Sequence, residues 1–522
     1  MPPSSQKPTK THTRSRTGCL TCRKRHQKCD ERRPICGNCV TVDKPCEYPI
    51  AVLPLREKRK KFLPGEQQPW KPVDGTVMTI SQDLGPCISS ARRPITMAFK
   101  SDELFHYFYK LEDPSDIAPK KKRQDLLASV THSADALRNT MLIASLHYAW
   151  NVGHLRSFEP TLLFHKLEAM RLINKSILDS GAKYSMCVKH IATLCLTECA
   201  LGNITAAETH MDGLMKFMDF HRPTHLPSPT EPGLDDELAN RYIILTYNFI
   251  HGFKSRVKDI LLFNDTRETP SPEMVEELMH SWHKTEMQGL DIRLRSLKML
   301  PFFFSELPPS TEFVDVDGEG IMDCLVTLTA TARLKSESPD PFDQNVLWQE
   351  GAATRLLLAF VSTHIESISG GKKTSSKRAR LTSSWSELAT ATGLYLHAIL
   401  QFWNAGEPMK PPLHRRILHI LQQDLEGTRH HLGSRSRLVS KLWFWKAFVG
   451  AMSVERHVAF DTEGVLVELG STFREFVRGW SIVVGVTQWG DAREALRKIV
   501  WPGSFESEDM AQDLWYRCVV TQ

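Results

Sequence analysis

The chain has 522 residues, 41% hydrophobic and 24% charged, with a mean hydropathy of −0.29 and a formal net charge of +6. This length suffices for a small module followed by a large domain with a substantial core. No uninterrupted apolar run reaches the roughly eighteen residues of a membrane-spanning helix, so none is predicted. The opening "MPPSSQKPTKTHTRSRTG" lacks the apolar stretch of a secretory signal, so we expect a reducing compartment.

The charge is divided unevenly along the chain. Residues 1–61 contain sixteen Lys and Arg against five Asp and Glu, which leaves the remainder slightly acidic. A basic N-terminal segment ahead of an acidic body predicts that the first sixty or so residues meet a polyanion such as nucleic acid.

Six cysteines follow the pattern C-x2-C-x6-C-x6-C-x2-C-x6-C. In a reducing compartment such a cluster favours metal over disulfides. Tetrahedral zinc takes four thiolates, so one zinc would leave two cysteines over and two separate zincs would need eight; six serve two zincs if two thiolates bridge. A disulfide framework and an iron–sulfur cluster are the alternatives. The candidate ligands are Cys19, Cys22, Cys29, Cys36, Cys39 and Cys46.

The segment "TGCLTCRKRHQKCDERRPICGNCVTVDKPCEYP" resembles the Zn2Cys6 binuclear cluster of fungal transcription regulators in all six cysteines and their spacings. The resemblance implies two zinc ions per chain, bridging by Cys19 and Cys36, and a turn between the halves at Pro34. It also implies that the helix after the second cysteine enters the major groove of double-stranded DNA and reads a CGG-type triplet. The residues that it places at the DNA are Arg23, Lys24, Arg25, His26 and Lys28.

His26 stands where this family often has a base-reading lysine. A lysine donates to guanine O6 and N7 with a full charge, whereas a neutral imidazole offers one donor. We therefore expect Arg25 to carry more of the CGG preference, with contact of His26 to phosphate alone as the alternative.

Residues 1–17 are predicted to be a basic disordered tail and residues 50–97 a proline-rich basic linker. The linker has no apolar heptad, so any dimerisation would use the downstream domain. Two basic clusters are candidate nuclear-import signals, with a solvated linker and a disordered loop as the alternatives. Their residues are Lys58, Arg59, Lys60 and Lys61 in the first, and Lys372, Lys373, Lys377, Arg378 and Arg380 in the second.

From residue 98 to 522 the apolar periodicity is helical and no strand alternation is sustained, which predicts an all-α domain. Within it, "TAAE" at residues 205–208 has the form of a capping box. The stretch "HIATLCLTECALGNITAAETHMDGLMKFM" resembles a helical hairpin in the second common type of fungal transcription-factor domain. That resemblance implies a regulatory domain, which in some relatives binds a hydrophobic effector; transcriptional co-regulators and such an effector are the expected partners.

Other chemistry is not indicated. Cys195 and Cys199 lie in an apolar helical pattern, which favours core packing over a metal site. Trp443, Phe444 and Trp445 favour core over a ligand pocket. The segment "FESEDMAQDLWYR" favours an amphipathic helix over an acidic activation segment. No nucleotide-binding or hydrolase motif occurs, so an enzyme is not expected.

The sequence therefore predicts a mainly α protein with a small Zn2Cys6 cluster at residues 18–49 and a large all-helical regulatory domain at residues 98–522. Its predicted role is that of a nuclear, zinc-dependent, sequence-specific DNA-binding regulator of RNA polymerase II genes, with no membrane partner. A zinc-cluster nuclear scaffold that recruits proteins without reading DNA is the alternative.

Overall fold

The computed structural model describes the chain in thirteen stretches. They are residues 18–32, 35–48, 94–110, 133–178, 184–221, 233–263, 287–308, 310–337, 352–368, 381–402, 408–434, 437–461 and 464–520. The predicted tail, most of the predicted linker, Pro34 and both candidate import signals lie outside these residues. The chain divides into two compact units, one within residues 1–78 and the other containing nearly all residues from 79 onward.

The described residues of the N-terminal unit include two short helices. These are α1 (Leu20–Lys24) and α2 (Gly37–Val40). Each follows a cysteine in extended conformation, Cys19 before α1 and Cys36 before α2, so the metal-ligand candidates also set where the helices begin. The buried part of this unit consists of cysteines, with Cys46 and Tyr48 packed against it. Apolar burial alone is too small to stabilise so short a segment.

The second unit is built from helices, as the apolar periodicity predicts. In chain order these are α3 (Ser101–Lys110), α4 (Ala134–Val152), α5 (Glu159–Leu178), α6 (Tyr184–Ala200), α7 (Ile204–His221), α8 (Leu234–Phe263), α9 (Met287–Phe303), α10 (Glu319–Glu337), α11 (Ala352–Ile368), α12 (Trp385–Leu394), α13 (Pro411–Gly427), α14 (Arg437–His457), α15 (Val465–Val484), α16 (Trp489–Arg497) and α17 (Glu508–Val520). A π-helical turn, Tyr395–Ile399, continues α12, and short 3-10 turns follow α13 and α14. No helix among the described residues has the length and apolar character that crossing a membrane would require.

One small sheet departs from the all-helical prediction. Strands β1 (Val316–Asp317) and β2 (Thr382–Ser383) pair antiparallel, with Val316 opposite Ser383. Two residues per strand are too few for a period of two to register in the sequence. The mainly α class is nevertheless confirmed.

Helix α14 runs through the core of the second unit. Its Phe444 stacks on Trp480 with ring centroids 3.8 Å apart. The indole of Trp445 donates to the carbonyl of Val500 at 2.8 Å, and that of Trp443 donates to a backbone carbonyl of α13 at 3.3 Å. All three aromatic residues are buried, which confirms the prediction that they form core.

A buried ion pair crosses this core. Lys446 Nζ lies 2.5 Å from Glu387 Oε2, and the two side chains are 2% and 1% exposed. Ser383 Oγ donates to Glu387 at 2.8 Å and accepts from Lys446 at 3.0 Å. Burial, together with Glu387 nearby, raises the pKa of Asp424 well above its ordinary value. The charge of Lys446 and that of Glu387 compensate each other, so removing either partner would leave the other as an unpaired buried charge.

Three local predictions can be compared with the helices. Cys195 and Cys199 are buried in α6, where burial raises the pKa of both thiols, which confirms core packing. The C-terminal segment forms α17 and buries Leu514 and Trp515, which confirms an amphipathic helix. The capping box at residues 205–208 is wrong, because Asn203 caps α7 through Oδ1, 3.3 Å from the N–H of residue 206.

Packing extends slightly into the predicted linker. Ile95 and Met97 are partly buried against the apolar core of the second unit. Downstream, Ser101 opens α3 and its hydroxyl lies 2.8 Å from His165 Nε2 on α5. This contact ties α3 to α5.

Candidate metal centre and DNA-binding surface

The cysteine sulfurs converge in a buried cluster. Cys19 Sγ lies 3.7 Å from Cys36 Sγ and 3.6 Å from Cys39 Sγ. Cys22 Sγ lies 3.6 Å from Cys36 Sγ and 4.0 Å from Cys39 Sγ. A tetrahedral site with zinc–sulfur bonds of about 2.3 Å places its sulfurs about 3.8 Å apart. These residues therefore fit zinc thiolate coordination without rearrangement of the chain.

The two halves of the cluster repeat the same contacts seventeen residues apart. The N–H of Cys19 donates to Cys29 Sγ at 3.4 Å, and the N–H of Cys36 donates to Cys46 Sγ at 3.3 Å. The third cysteine of each half is thereby brought beside the first. All six predicted ligands lie in one cluster, five of them buried and Cys46 half-buried.

Helices α1 and α2 also end alike, each in a Schellman motif. In that motif the residue after the C-cap takes a left-handed conformation, which glycine adopts most easily. Here the left-handed residues are His26, with φ of 54°, and Asp43, with φ of 47°. The paired backbone bonds, 3.0–3.2 Å long, run from His26 to Arg23 and Gln27 to Cys22 after α1, and from Asp43 to Val40 and Lys44 to Cys39 after α2.

Hydrogen bonds join the two halves directly. The carboxylate of Asp30 accepts from the N–H of Gly37 through both oxygens, at 3.0 and 3.2 Å, and so caps the start of α2. A Cβ at Gly37 would lie 2.8 Å from Asp30 Oδ2, so glycine is needed for this approach. Asn38 Nδ2 donates to the carbonyl of Lys28 at 2.7 Å. Each half thus holds the other in place.

Burial raises the pKa of the Cys22 thiol to about 12, and it raises the pKa of Cys39 as well. Thiolate is the form that binds metal, so these sulfurs need a cation in the cluster to stay deprotonated at neutral pH. Zinc supplies that charge and couples metal binding to release of protons.

The two halves differ in the surface that they carry on this shared backbone. In the first half Lys24, His26 and Lys28 are exposed and Arg23 and Arg25 half-buried, with one buried guanidinium nitrogen of Arg25 lacking a hydrogen-bond partner among the described residues. The structure therefore gathers all five predicted DNA-contact residues around the end of α1. At the equivalent positions of the second half stand Val40, Thr41, Val42, Asp43 and Pro45.

The sequence itself carries a signal of this contrast. Aligning the halves at an offset of seventeen matches His26 with Asp43 and so predicts the shared turn. Val40 is 64% exposed, and the charges of the exposed Asp43 and Lys44 offset each other, so the second half presents an apolar and nearly neutral surface where the first is cationic. A polyanion is therefore attracted more strongly to the first half.

Residues 17–53 match the family of the fungal Zn(2)-Cys(6) binuclear cluster domain. The fold of the segment, its converging sulfurs and this match define it as a binuclear zinc cluster domain, the kind of domain that binds two zinc ions.

Proteins similar to this chain include fungal regulators. Sterol uptake control protein 2 of Candida albicans is 42% identical over 72 residues, which is 14% of this chain and 10% of that protein. Transcription factor lfc1 of Flammulina velutipes is 35% identical over 92 residues, 18% of this chain and 31% of that protein. Transcriptional regulatory protein moc3 of Schizosaccharomyces pombe is 54% identical over 43 residues, 8% of each. The matches thus span less than a third of any of these relatives, and no solved structure matches the chain.

Proposed function

We propose that the protein is a nuclear, zinc-dependent transcription regulator that binds CGG-type triplets in double-stranded DNA and controls RNA polymerase II genes of one pathway or gene cluster. The observation that carries the proposal is the one-sided basic surface: two halves share a backbone, and only the first is cationic. The cluster-domain family and the names of the relatives support the same function.

For the metal, we propose the six cysteines as ligands of two zinc ions, with Cys19 and Cys36 shared. In support, each of these two sulfurs lies within 3.7 Å of the other and 3.6 Å from a sulfur of the opposite half. A shared thiolate must reach both metals, so contact with both halves is the property required of it. The zinc ions are structural and hold α1 in position.

For the DNA, the proposal assigns different work to the basic residues. Lys24 and Lys28 are exposed point charges suited to phosphate contacts, which set affinity and salt dependence. Arg25 and His26 stand at the C-terminal end of α1 as candidates for base contacts. A guanidinium fits guanine O6 and N7 bidentately, so Arg25 is the stronger candidate for CGG preference.

For the helical unit, we propose a regulatory rather than enzymatic role, exercised through contact with transcriptional co-regulators and a small hydrophobic effector. The likeness of residues 190–218 to a fungal transcription-factor domain supports this role, as does its position behind a DNA-binding module. The two basic clusters at residues 58–61 and 372–380 are proposed as nuclear-import signals.

The test is binding of the full chain to a CGG-containing duplex and to a scrambled duplex at one fixed salt concentration, by fluorescence anisotropy. We expect tighter binding to CGG. Lys28→Gln should weaken binding to both duplexes and lower the salt slope by about one, whereas Lys44→Gln, the same charge change in the second half, should leave both unchanged. Equal and weak binding to both duplexes by zinc-loaded protein would favour the scaffold alternative.

A further inference from the structure

Four histidines form a continuous row inside the helical unit. They come from four separate elements: His251 from α8, His397 from the π-helical turn, His457 from the end of α14 and His414 from α13. Ring centroids of His251 and His397 are 5.5 Å apart, those of His397 and His457 are 5.2 Å apart, and those of His457 and His414 are 4.5 Å apart. These four residues are called the histidine row below.

The row is buried along most of its length. His397, His414 and His457 are 1%, 0% and 3% exposed, whereas His251 is half-buried. One end of the row therefore reaches toward the surface while the rest lies in the core. A proton bound by a buried member of the row therefore gains no solvation from bulk water.

The lack of acceptors at His397 and His414 favours their neutral form, although the carbonyl of Ser453 favours a protonated Nδ1 on His457. Ser453 serves two members of the row, because its carbonyl accepts from His457 Nδ1 at 2.7 Å and its hydroxyl lies 2.8 Å from His414 Nε2. Both ring nitrogens of His397 and Nδ1 of His414 are buried without a hydrogen-bond partner among the described residues. An imidazolium at either place would hold a charged N–H with no acceptor.

Burial and the neighbouring basic groups also oppose protonation. Burial lowers the pKa of His397 well below its ordinary value, and His251, His457, His414 and Arg456 lower it further. Burial likewise lowers the pKa of His414 and of His457. Arg456 on α14 donates to the carbonyl of residue 398 at 3.2 Å. The carboxylate of Glu506, before α17, favours the charged form of Arg456.

We propose that the histidine row is a proton-sensitive latch, closed while its imidazoles are neutral and opened when they take up protons. This inference does not depend on DNA binding. Opening would separate α13 and α14 from α8 and the π-helical turn, because those are the elements that meet at the row. A π-helical turn commonly marks a functional irregularity in a helix, and here it carries His397 at the middle of the row.

The sign of the effect follows from proton linkage. The three buried histidines of the row, His397, His414 and His457, are neutral in the closed form and have their ordinary pKa, near 6.5, when the row is open. The closed form is therefore fully stable above that pH and loses stability as the pH falls below it. Each histidine that takes up a proton only on opening makes opening about tenfold more favourable per pH unit. If all three buried members take up protons on opening, opening becomes up to about a thousandfold more favourable per pH unit.

The test is hydrogen exchange of the full chain at pH 7.5 and 5.5, read by mass spectrometry and corrected for intrinsic exchange. We expect peptides of α13, α14 and the π-helical turn to open together in acid, by at least tenfold, before the rest of the unit. His397→Gln should reduce that acid opening by about tenfold. The matched control is His147→Gln, since His147 on α4 is also buried with both ring nitrogens unpartnered among the described residues but lies outside the row.

Several outcomes would overturn the proposal: no regional opening in acid, opening that persists unchanged in His397→Gln, or equal suppression by His147→Gln. If His397→Gln does not fold, His414→Gln replaces it, and the exchange pattern of the unaltered chain still decides whether the row opens first.

Discussion

Replacing the left-handed histidine at the end of α1 separates the stability of the cysteine module from its recognition of DNA. His26 and Asp43 occupy equivalent positions with φ of 54° and 47°. A left-handed conformation costs a non-glycine residue about 1–2 kcal/mol, and glycine avoids this cost. Part of the gain is offset because glycine loses more backbone entropy on folding. His26→Gly and Asp43→Gly should therefore each stabilise the zinc-loaded module by about 0.5–1 kcal/mol.

Their effects on DNA should differ. If the imidazole of His26 contacts a base, His26→Gly should remove about 1–3 kcal/mol of the binding free energy for CGG DNA. The affinity would then fall by between about fivefold and somewhat more than a hundredfold. Asp43→Gly removes a negative charge from the half that we propose lies away from the DNA, so the affinity of this variant for CGG should match or slightly exceed that of the parent. His26→Lys should tighten CGG binding by about 1–2 kcal/mol, because it places a permanent charge at the same position.

The assay is anisotropy titration of CGG and scrambled duplexes by the full chain at fixed salt, with chelator competition to report module stability. The reasoning fails if His26→Gly binds CGG as tightly as the parent, which would leave Arg25 as the main base contact. It also fails if Asp43→Gly loses as much affinity as His26→Gly, since the second half would then touch the DNA.

Three further outcomes are expected. Mass spectrometry should find two zinc ions per chain. Cys36→Ser should lower the occupancy of both zinc sites, whereas Cys324→Ser, in the helical unit, should leave the zinc content unchanged. Lys446→Met should lower the free energy of unfolding by about 3–5 kcal/mol in denaturant titrations, because it leaves a buried carboxylate unpaired. Gly450→Ala should also destabilise, since its new Cβ would lie 2.3 Å from an aromatic carbon of α15, whereas Gly479→Ala meets nothing within 4 Å and should stabilise by up to about 1 kcal/mol.

The spacing of the cysteines was sufficient to predict the zinc cluster, because tetrahedral thiolate coordination restricts both ligand number and ligand separation. The helical character of the second unit was also predictable, since its apolar periodicity extends over many turns. The capping box failed because Thr205 and Asn203 are both good capping residues, and sequence alone does not say which one stands outside the helix.

The histidine row could not be predicted from the sequence. His251 and His397 are separated by more than a hundred residues, and no local spacing marks either one. The rings are brought together by the packing of α8 against α12, of the π-helical turn against α14, and of α13 against α14. Long-range contacts of this kind depend on the tertiary fold, whereas the zinc ligands lie within one short segment.

The bond between Asp30 and Gly37 has a consequence for how the protein responds to its metal supply. Because the carboxylate of one half caps the helix of the other, a chain holding a single zinc would lack the partner that orders its occupied half. Loading should therefore proceed nearly all-or-none, with half-filled species scarce. The fraction of chains with a folded module would then rise with up to the square of free zinc concentration, so a modest fall in zinc would reduce the proposed DNA binding more sharply than in a module that holds one ion.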